Sequence, residues 1–85
     1  MRIDRLLCFL RFVRTRSSAR KLVDEGHIRC NGERVLRASR DIAAGDVLTL
    51  PLGNAVKLVE ILALPERRGP PSEAQTYYRE LDPGA

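Results

Sequence analysis

Tryptophan is absent from the 85 residues, and the aromatics are Phe9, Phe12, Tyr77 and Tyr78. Phe9 and Phe12 fall in an apolar pattern, so an exposed aromatic platform for stacking single-stranded bases is not expected. The single histidine, His27, has no second His or Cys at metal-ligand spacing, and Cys8 and Cys30 form no CxxC pair; a zinc site is not expected. Both cysteines sit among apolar residues and read as buried, reduced thiols, which suits the cytoplasm. No stretch approaches the roughly 18 apolar residues of a membrane span. The early run Leu6 to Leu10 stops at Arg11, too short for a secretory signal. Gly-rich phosphate loops, nucleophile–base pairs and metal clusters are missing, so neither catalysis nor a cofactor is expected. Asp4, Asp24 and Glu25 read as helix caps or solvated charges.

What the chain does have is uneven charge. Residues 1–40 hold eleven Lys/Arg against four Asp/Glu, a net of +7, whereas residues 41–85 hold four against seven, a net of −3. Ten of the eleven front cations are arginine, whose rigid fork of donors matches phosphate better than the point charge of lysine. A polyanion is the natural partner. An Arg-rich, Ser-containing start whose one acid before Asp24 is Asp4 superficially suits an organellar transit peptide. The patterning described next makes the segment part of the fold instead. At this length a chain buries only about 60% of its unfolded surface, which leaves room for one binding surface and not for a deep active site.

Ile3, Leu6, Leu7 and Leu10 follow helical spacing, widened by Phe9, Phe12 and Val13, and predict a helix over 4–13 with Asp4 capping its start. Thr15-Arg16-Ser17 breaks the pattern. Ser17 is the expected N-cap of a second helix over 18–25, with Ala19, Leu22 and Val23 inward and Arg16, Arg20 and Lys21 on the other side. Gly26 suits a left-handed C-terminal cap. Asn31-Gly32, between alternating segments, is a strong hairpin signal because both residues tolerate positive φ. That turn pairs Cys30 with Glu33, Arg29 with Arg34 and Ile28 with Val35, with the last two on the core face. Arg29 and Arg34 are then like charges across a ladder, a repulsion that a shared phosphate would relieve. Gly45-Asp46 marks a turn before strands at Val47–Leu50 and Ala55–Leu62. After Pro65 a Pro/Gly-rich linker precedes Ser72-Glu73-Ala74-Gln75, a capping box, with Ala74, Tyr77, Tyr78 and Leu81 at helical spacing. The expected organisation is a domain over 1–64 and a linker with a short C-terminal helix over 65–85.

These residues carry a resemblance. Arg2-Ile3-Asp4-Arg5-Leu6-Leu7, Thr15-Arg16-Ser17, Ala19, Gly26-His27-Ile28-Arg29-Cys30-Asn31-Gly32 and Gly45-Asp46-Val47-Leu48, in that order, resemble the S-four RNA-binding domain named for ribosomal small-subunit protein four. Within it the chain looks most like the small ribosome-associated heat shock protein family. The pointers are Phe12-Val13-Arg14-Thr15-Arg16 and the tail Arg67-Arg68-Gly69-Pro70-Pro71-Ser72-Glu73-Ala74 with Tyr78. That family commonly places tryptophans in the first helix, where this chain has Leu6 and Cys8.

The resemblance implies an α+β fold, two N-terminal helices packed on a small mixed or antiparallel sheet (the αL RNA-binding motif), with the second helix and hairpin presenting the RNA surface. Carried over by position, the candidate RNA contacts are Arg5, Arg11, Arg14, Thr15, Arg16, Ser17, Arg20, Lys21, His27, Arg29, Asn31 and Arg34, followed by Arg37 and Arg40. It also implies a partner, ribosomal RNA of the large subunit, and a role in ribosome recycling or the heat-shock response. The expected mechanism is electrostatic capture of structured RNA, with Thr15, Ser17 and Asn31 bonding phosphate or 2′-hydroxyl groups, by a protein that is monomeric when free. Two other readings use the same residues: duplex DNA binding by two short helices with a basic face, and a protein-interaction module built on the Tyr77-Tyr78 segment.

Overall fold

In the computed structural model, which describes residues 1–81, the helical spacing of Ile3, Leu6, Leu7 and Leu10 builds α1 (Ile3–Phe9) and buries all four side chains. The helix stops well short of the expected Val13. Arg11 adopts a left-handed φ of 66°, its amide donates to the Cys8 carbonyl (3.1 Å), and the Phe12 amide donates to the Leu7 carbonyl (3.0 Å). That crossed pair of bonds usually closes a helix on glycine. With arginine in the glycine's place, nothing in the sequence announces the stop. The strain of about 1–2 kcal/mol for a side chain at this φ is offset by Arg11 Nε donating to the Gly69 carbonyl at 2.6 Å.

The second helix, α2 (Arg16–Asp24), begins earlier than expected because Thr15, not Ser17, is its cap. Thr15 has extended backbone and its hydroxyl accepts from the Ser18 amide at 3.1 Å, three residues into the chain, which is the geometry an N-cap requires. Ala19 and Val23 are buried and Leu22 is half-buried against the core. Gly26, with φ of 79°, ends the helix as the pattern foretold.

The hairpin follows the expected register. Strands β1 (Arg29–Cys30) and β2 (Glu33–Arg34) pair Arg29 with Arg34 and Cys30 with Glu33, across Asn31 (φ 53°) and Gly32 (φ 83°). Ile28 and Val35 are fully buried, and the Val35 amide donates to the Ile28 carbonyl at 2.9 Å. Asn31 also ties the turn to the next strand: its Oδ1 accepts from the Val47 amide (2.9 Å) and its Nδ2 donates to Asp46 (3.1 Å). Asn31→Ala loses both bonds and takes on the left-handed strain, so it is expected to destabilise the fold by about 1.5 kcal/mol. Asn31→Gly, which loses the bonds but not the conformation, should fall between alanine and wild type in thermal unfolding.

Strands β3 (Val47–Leu52), β4 (Ala55–Ile61) and β5 (Tyr78–Leu81) complete a fully antiparallel sheet in the order β2-β1-β3-β4-β5. The fold is α+β, with the apolar faces of both helices and the sheet sharing one core. β3 runs on through Pro51, beyond the expected Leu50. This is tolerated because β1 pairs with β3 only at Leu48 and Thr49, leaving that side of Pro51 without a ladder bond to make.

The tail departs most from expectation. Its helix, α3 (Pro71–Ala74), is a single turn capped by Pro70 without a side-chain bond, so the Ser72 capping box does not form. Tyr78, placed on the expected helix, instead opens β5, which pairs Ile61 with Tyr78 and Leu58 with Leu81. Tertiary pairing overrides the local spacing here: β4 has an otherwise open edge, and tyrosines favour a half-buried pleated surface. The Tyr78 ring packs on Phe12 with centroids 4.8 Å apart. Phe9, by contrast, lies outside the core cluster and beneath Arg5, whose guanidinium carbon is 6.0 Å from the ring centre. Of the two thiols, Cys30 is buried as expected and Cys8 is only half-buried. The last four residues of the expected tail lie outside the described residues. No described helix is long and apolar enough to cross a membrane.

Candidate nucleic-acid interface

Asp4 organises the site, and not as a helix cap. Arg2 holds the cap position of α1, and the Asp4 side chain is fully buried. Its carboxylate accepts from Arg2 Nε (3.2 Å) and Nη2 (3.1 Å), from Arg16 Nη2 (3.3 Å) and from the Arg5 amide (2.7 Å), and pairs with Arg20 Nε at 3.5 Å. Burial by itself would raise its pKa. The hydrogen bonds from Arg2, the Arg5 amide and Arg16, with the Arg16 charge, outweigh burial and hold the carboxyl below its ordinary range. Arg16 and Arg20 lie one turn apart on α2, as read from the sequence, and both turn toward this anion from α1. Each of the three arginine side chains stays about half exposed (Arg2 43%, Arg16 42%, Arg20 56%). Arg16 Nε is buried without a partner among the described residues.

A second group adjoins the first through the backbone. The Ile3 amide donates to the Arg40 carbonyl (2.8 Å), the Asp4 amide to the Ala38 carbonyl (3.2 Å), and Arg2 pairs with Asp41 in a single antiparallel bridge. This seam fastens the 37–41 loop against the start of α1. Beside it Arg34, Arg37 and Arg40 line one groove with Glu33, Leu36 and Ser39. Arg34 folds back so that its guanidinium lies over the backbone of Gly26.

The remaining candidates divide. Arg29 and Arg34 are opposite in register, but their side chains part: Arg29 Nη1 reaches the Gly32 carbonyl at the turn (3.5 Å), and Arg34 reaches back to Gly26. Arg14 and Arg11 line a separate cleft with Arg68, Phe12, Gln75 and Tyr78. Arg11 and Arg68 both fasten the tail, Arg68 Nε donating to the Cys8 carbonyl at 3.2 Å. Lys21 lines a third cleft with Phe12, Leu22 and Leu52, toward the β3–β4 turn. Asn31 uses both ends of its amide inside the fold, and Thr15 its hydroxyl, whereas Ser17, His27 and Arg5 are exposed. Arg2, Asp4 and Arg68 were absent from the sequence-derived contacts. Asp4 alone had a visible signal, a lone acid among early cations and beside apolar core positions.

The S4 domain family model matches residues 1–48, the stretch that holds both arginine groups and the hairpin. The chain belongs to the S4 domain family. It is similar to the heat shock protein 15 homolog of Haemophilus influenzae, 34% identical over 82 residues covering 96% of this chain and 62% of that protein. It is also similar to the RQC P-site tRNA stabilizing factor of Bacillus subtilis, 31% identical over 77 residues, with 91% of this chain and 88% of that one covered. A trimeric structure of Vibrio cholerae heat shock protein 15 superimposes with a TM-score of 0.90 at 36% identity, over 95% of this chain and 81% of that chain. The chain thus spans somewhat under two thirds of the length of the Haemophilus protein it matches. The likeness to the Vibrio structure reaches past residue 48 to the β3–β5 sheet, which the domain match alone leaves out.

Proposed function

We propose that this protein binds structured RNA without acting on it chemically, and that the RNA is ribosomal RNA of the large subunit. The observation that carries the reading is the gathering of Arg2, Arg16 and Arg20 on one buried carboxylate, next to the Arg34–Arg37–Arg40 groove across a shared backbone seam. Two groups of three arginines joined by that seam suit a backbone of closely spaced phosphates. The start of α2 adds free amides and the exposed Ser17 hydroxyl, suited to a phosphate or a 2′-hydroxyl. Relatives named heat shock protein 15 and RQC P-site tRNA stabilizing factor support a place at the ribosome, in recycling or under heat stress.

Salt dependence tests the mechanism. With about five phosphates engaged, log affinity should fall against log salt with a slope near −3.5 to −4.5. Competition between a structured RNA and duplex DNA at fixed salt separates RNA recognition from general phosphate binding. Crosslinking in cells followed by sequencing of bound RNA should enrich large-subunit ribosomal RNA; enrichment of other transcripts alone would overturn that assignment.

A further inference from the structure

Leu36 is 76% exposed, more than any other large hydrophobic side chain among the described residues. It lies two residues beyond Arg34 and directly before Arg37, in the groove that these two line with Arg40, Ser39 and Glu33. The groove has a volume of about 320 Å³, at the small end of what small ligands occupy. Its walls are held in place. Val35, on one side of Leu36, is fully buried, and on the other side the Arg40 amide donates to the Arg37 carbonyl at 3.0 Å. The Ile3 and Asp4 amides then fasten the loop to α1. An apolar side chain is thus presented on an anchored loop, in a groove that three arginines also line.

We infer that this groove is a subsite for one unstacked nucleobase of the bound RNA, with Leu36 as its apolar floor and Arg34, Arg37 and Arg40 taking the flanking phosphates. The inference rests on the RNA-binding reading above and goes beyond it by naming a base contact. Charge complementarity selects the occupant. An apolar protein surface covering Leu36 would also strip water from three cations without pairing them. A nucleotide brings an uncharged face for the leucine and phosphates on either side for the arginines. In a continuous duplex the base faces are stacked and unavailable, so the subsite takes a nucleotide from a bulge or loop. Glu33 forms no ion pair among the described residues, and its carboxylate can accept from the amino group of adenine or cytosine.

The test compares two RNA hairpins, one perfectly paired and one identical except for a single bulged adenosine, bound by the wild-type chain and by Leu36→Ala and Leu36→Met. Wild type should prefer the bulged hairpin by about ten-fold, the worth of covering one such side chain. Leu36→Met should keep most of that preference, and Leu36→Ala should reduce it to within about two-fold. A preference that survives in Leu36→Ala, or its absence in wild type while both hairpins bind, overturns the subsite and leaves RNA binding standing. Failure of wild type to bind either hairpin at low salt overturns the RNA reading as well. A Leu36→Ala change in sedimentation would instead assign the leucine to contact between copies, and would likewise overturn the subsite.

Discussion

Asp4→Asn is expected to lower stability by about 2–3 kcal/mol, which for a chain of this size moves the thermal midpoint down by roughly 10–20 °C. Asparagine keeps the shape of aspartate and one accepting oxygen, but removes the charge and sets an NH2 donor where the second oxygen accepted. Without the charge, three guanidiniums at 3.1–3.5 Å from Asp4 Oδ2 lose their common counterion. Removing one member of a fully buried pair costs about 3–5 kcal/mol. Here the cost is lower because Arg2, Arg16 and Arg20 are each about half exposed and can turn back to water. An unchanged midpoint in calorimetry or circular dichroism would mean that the carboxylate does not anchor the cluster.

The same residue sets an acid limb. Its pKa in the folded protein lies below the ordinary 3.8, so its contribution is fully present above that value and is lost as pH falls through the lower, folded value. Asp46 is also held low, by the Ala43 amide foremost and then by Asn31, and contributes in the same direction. Wild type should therefore lose stability below about pH 4. Asp4→Asn should lose less over that interval, so the two curves converge in acid.

Replacing Arg16 and Arg20 together with glutamine is expected to weaken RNA binding by roughly 100-fold at low salt and to flatten the salt slope by about two. From the sequence alone these two residues lie on the side of α2 away from its apolar face and read as RNA contacts. The structure adds a second role, because both also neutralise Asp4. The double variant should lose about 1–2 kcal/mol of stability, so affinities must be compared at a temperature where both proteins are folded. Arg16→Lys with Arg20→Lys separates charge from shape. It should restore most of the salt slope but only part of the affinity, since lysine lacks the fork that can hold Asp4 and a phosphate at once. Equal affinity for the glutamine variant and wild type would remove α2 from the interface.

Local signals were decisive wherever one residue type has one conformation to offer. Asn31-Gly32 accepts positive φ twice and so dictated the hairpin and its register. Gly26 closed α2, and the spacing of Ile3, Leu6, Leu7 and Leu10 placed α1 on the core. Errors arose where a neighbour distant in sequence made the decision. Arg11 ends α1 in a conformation that arginine seldom adopts, held there by Gly69. Tyr77, Tyr78 and Leu81 have helical spacing, and the open edge of β4 overrode it by pairing Tyr78–Leu81 as a strand.

The arginine groups show the same division. Composition alone showed a basic front half and pointed to a polyanion as partner, because charge density depends on residue count and not on folding. Which arginines act together depended on the packing of α1 against α2, which brings Arg2, Arg16 and Arg20 to one carboxylate, and on the seam that seats Arg40 beside Arg2. The reason is the range of the forces involved. Turn and helix preferences act over a few residues and are written in the chain. Desolvating Asp4 among three guanidiniums happens only once the core has closed around it, and no stretch of sequence contains that event.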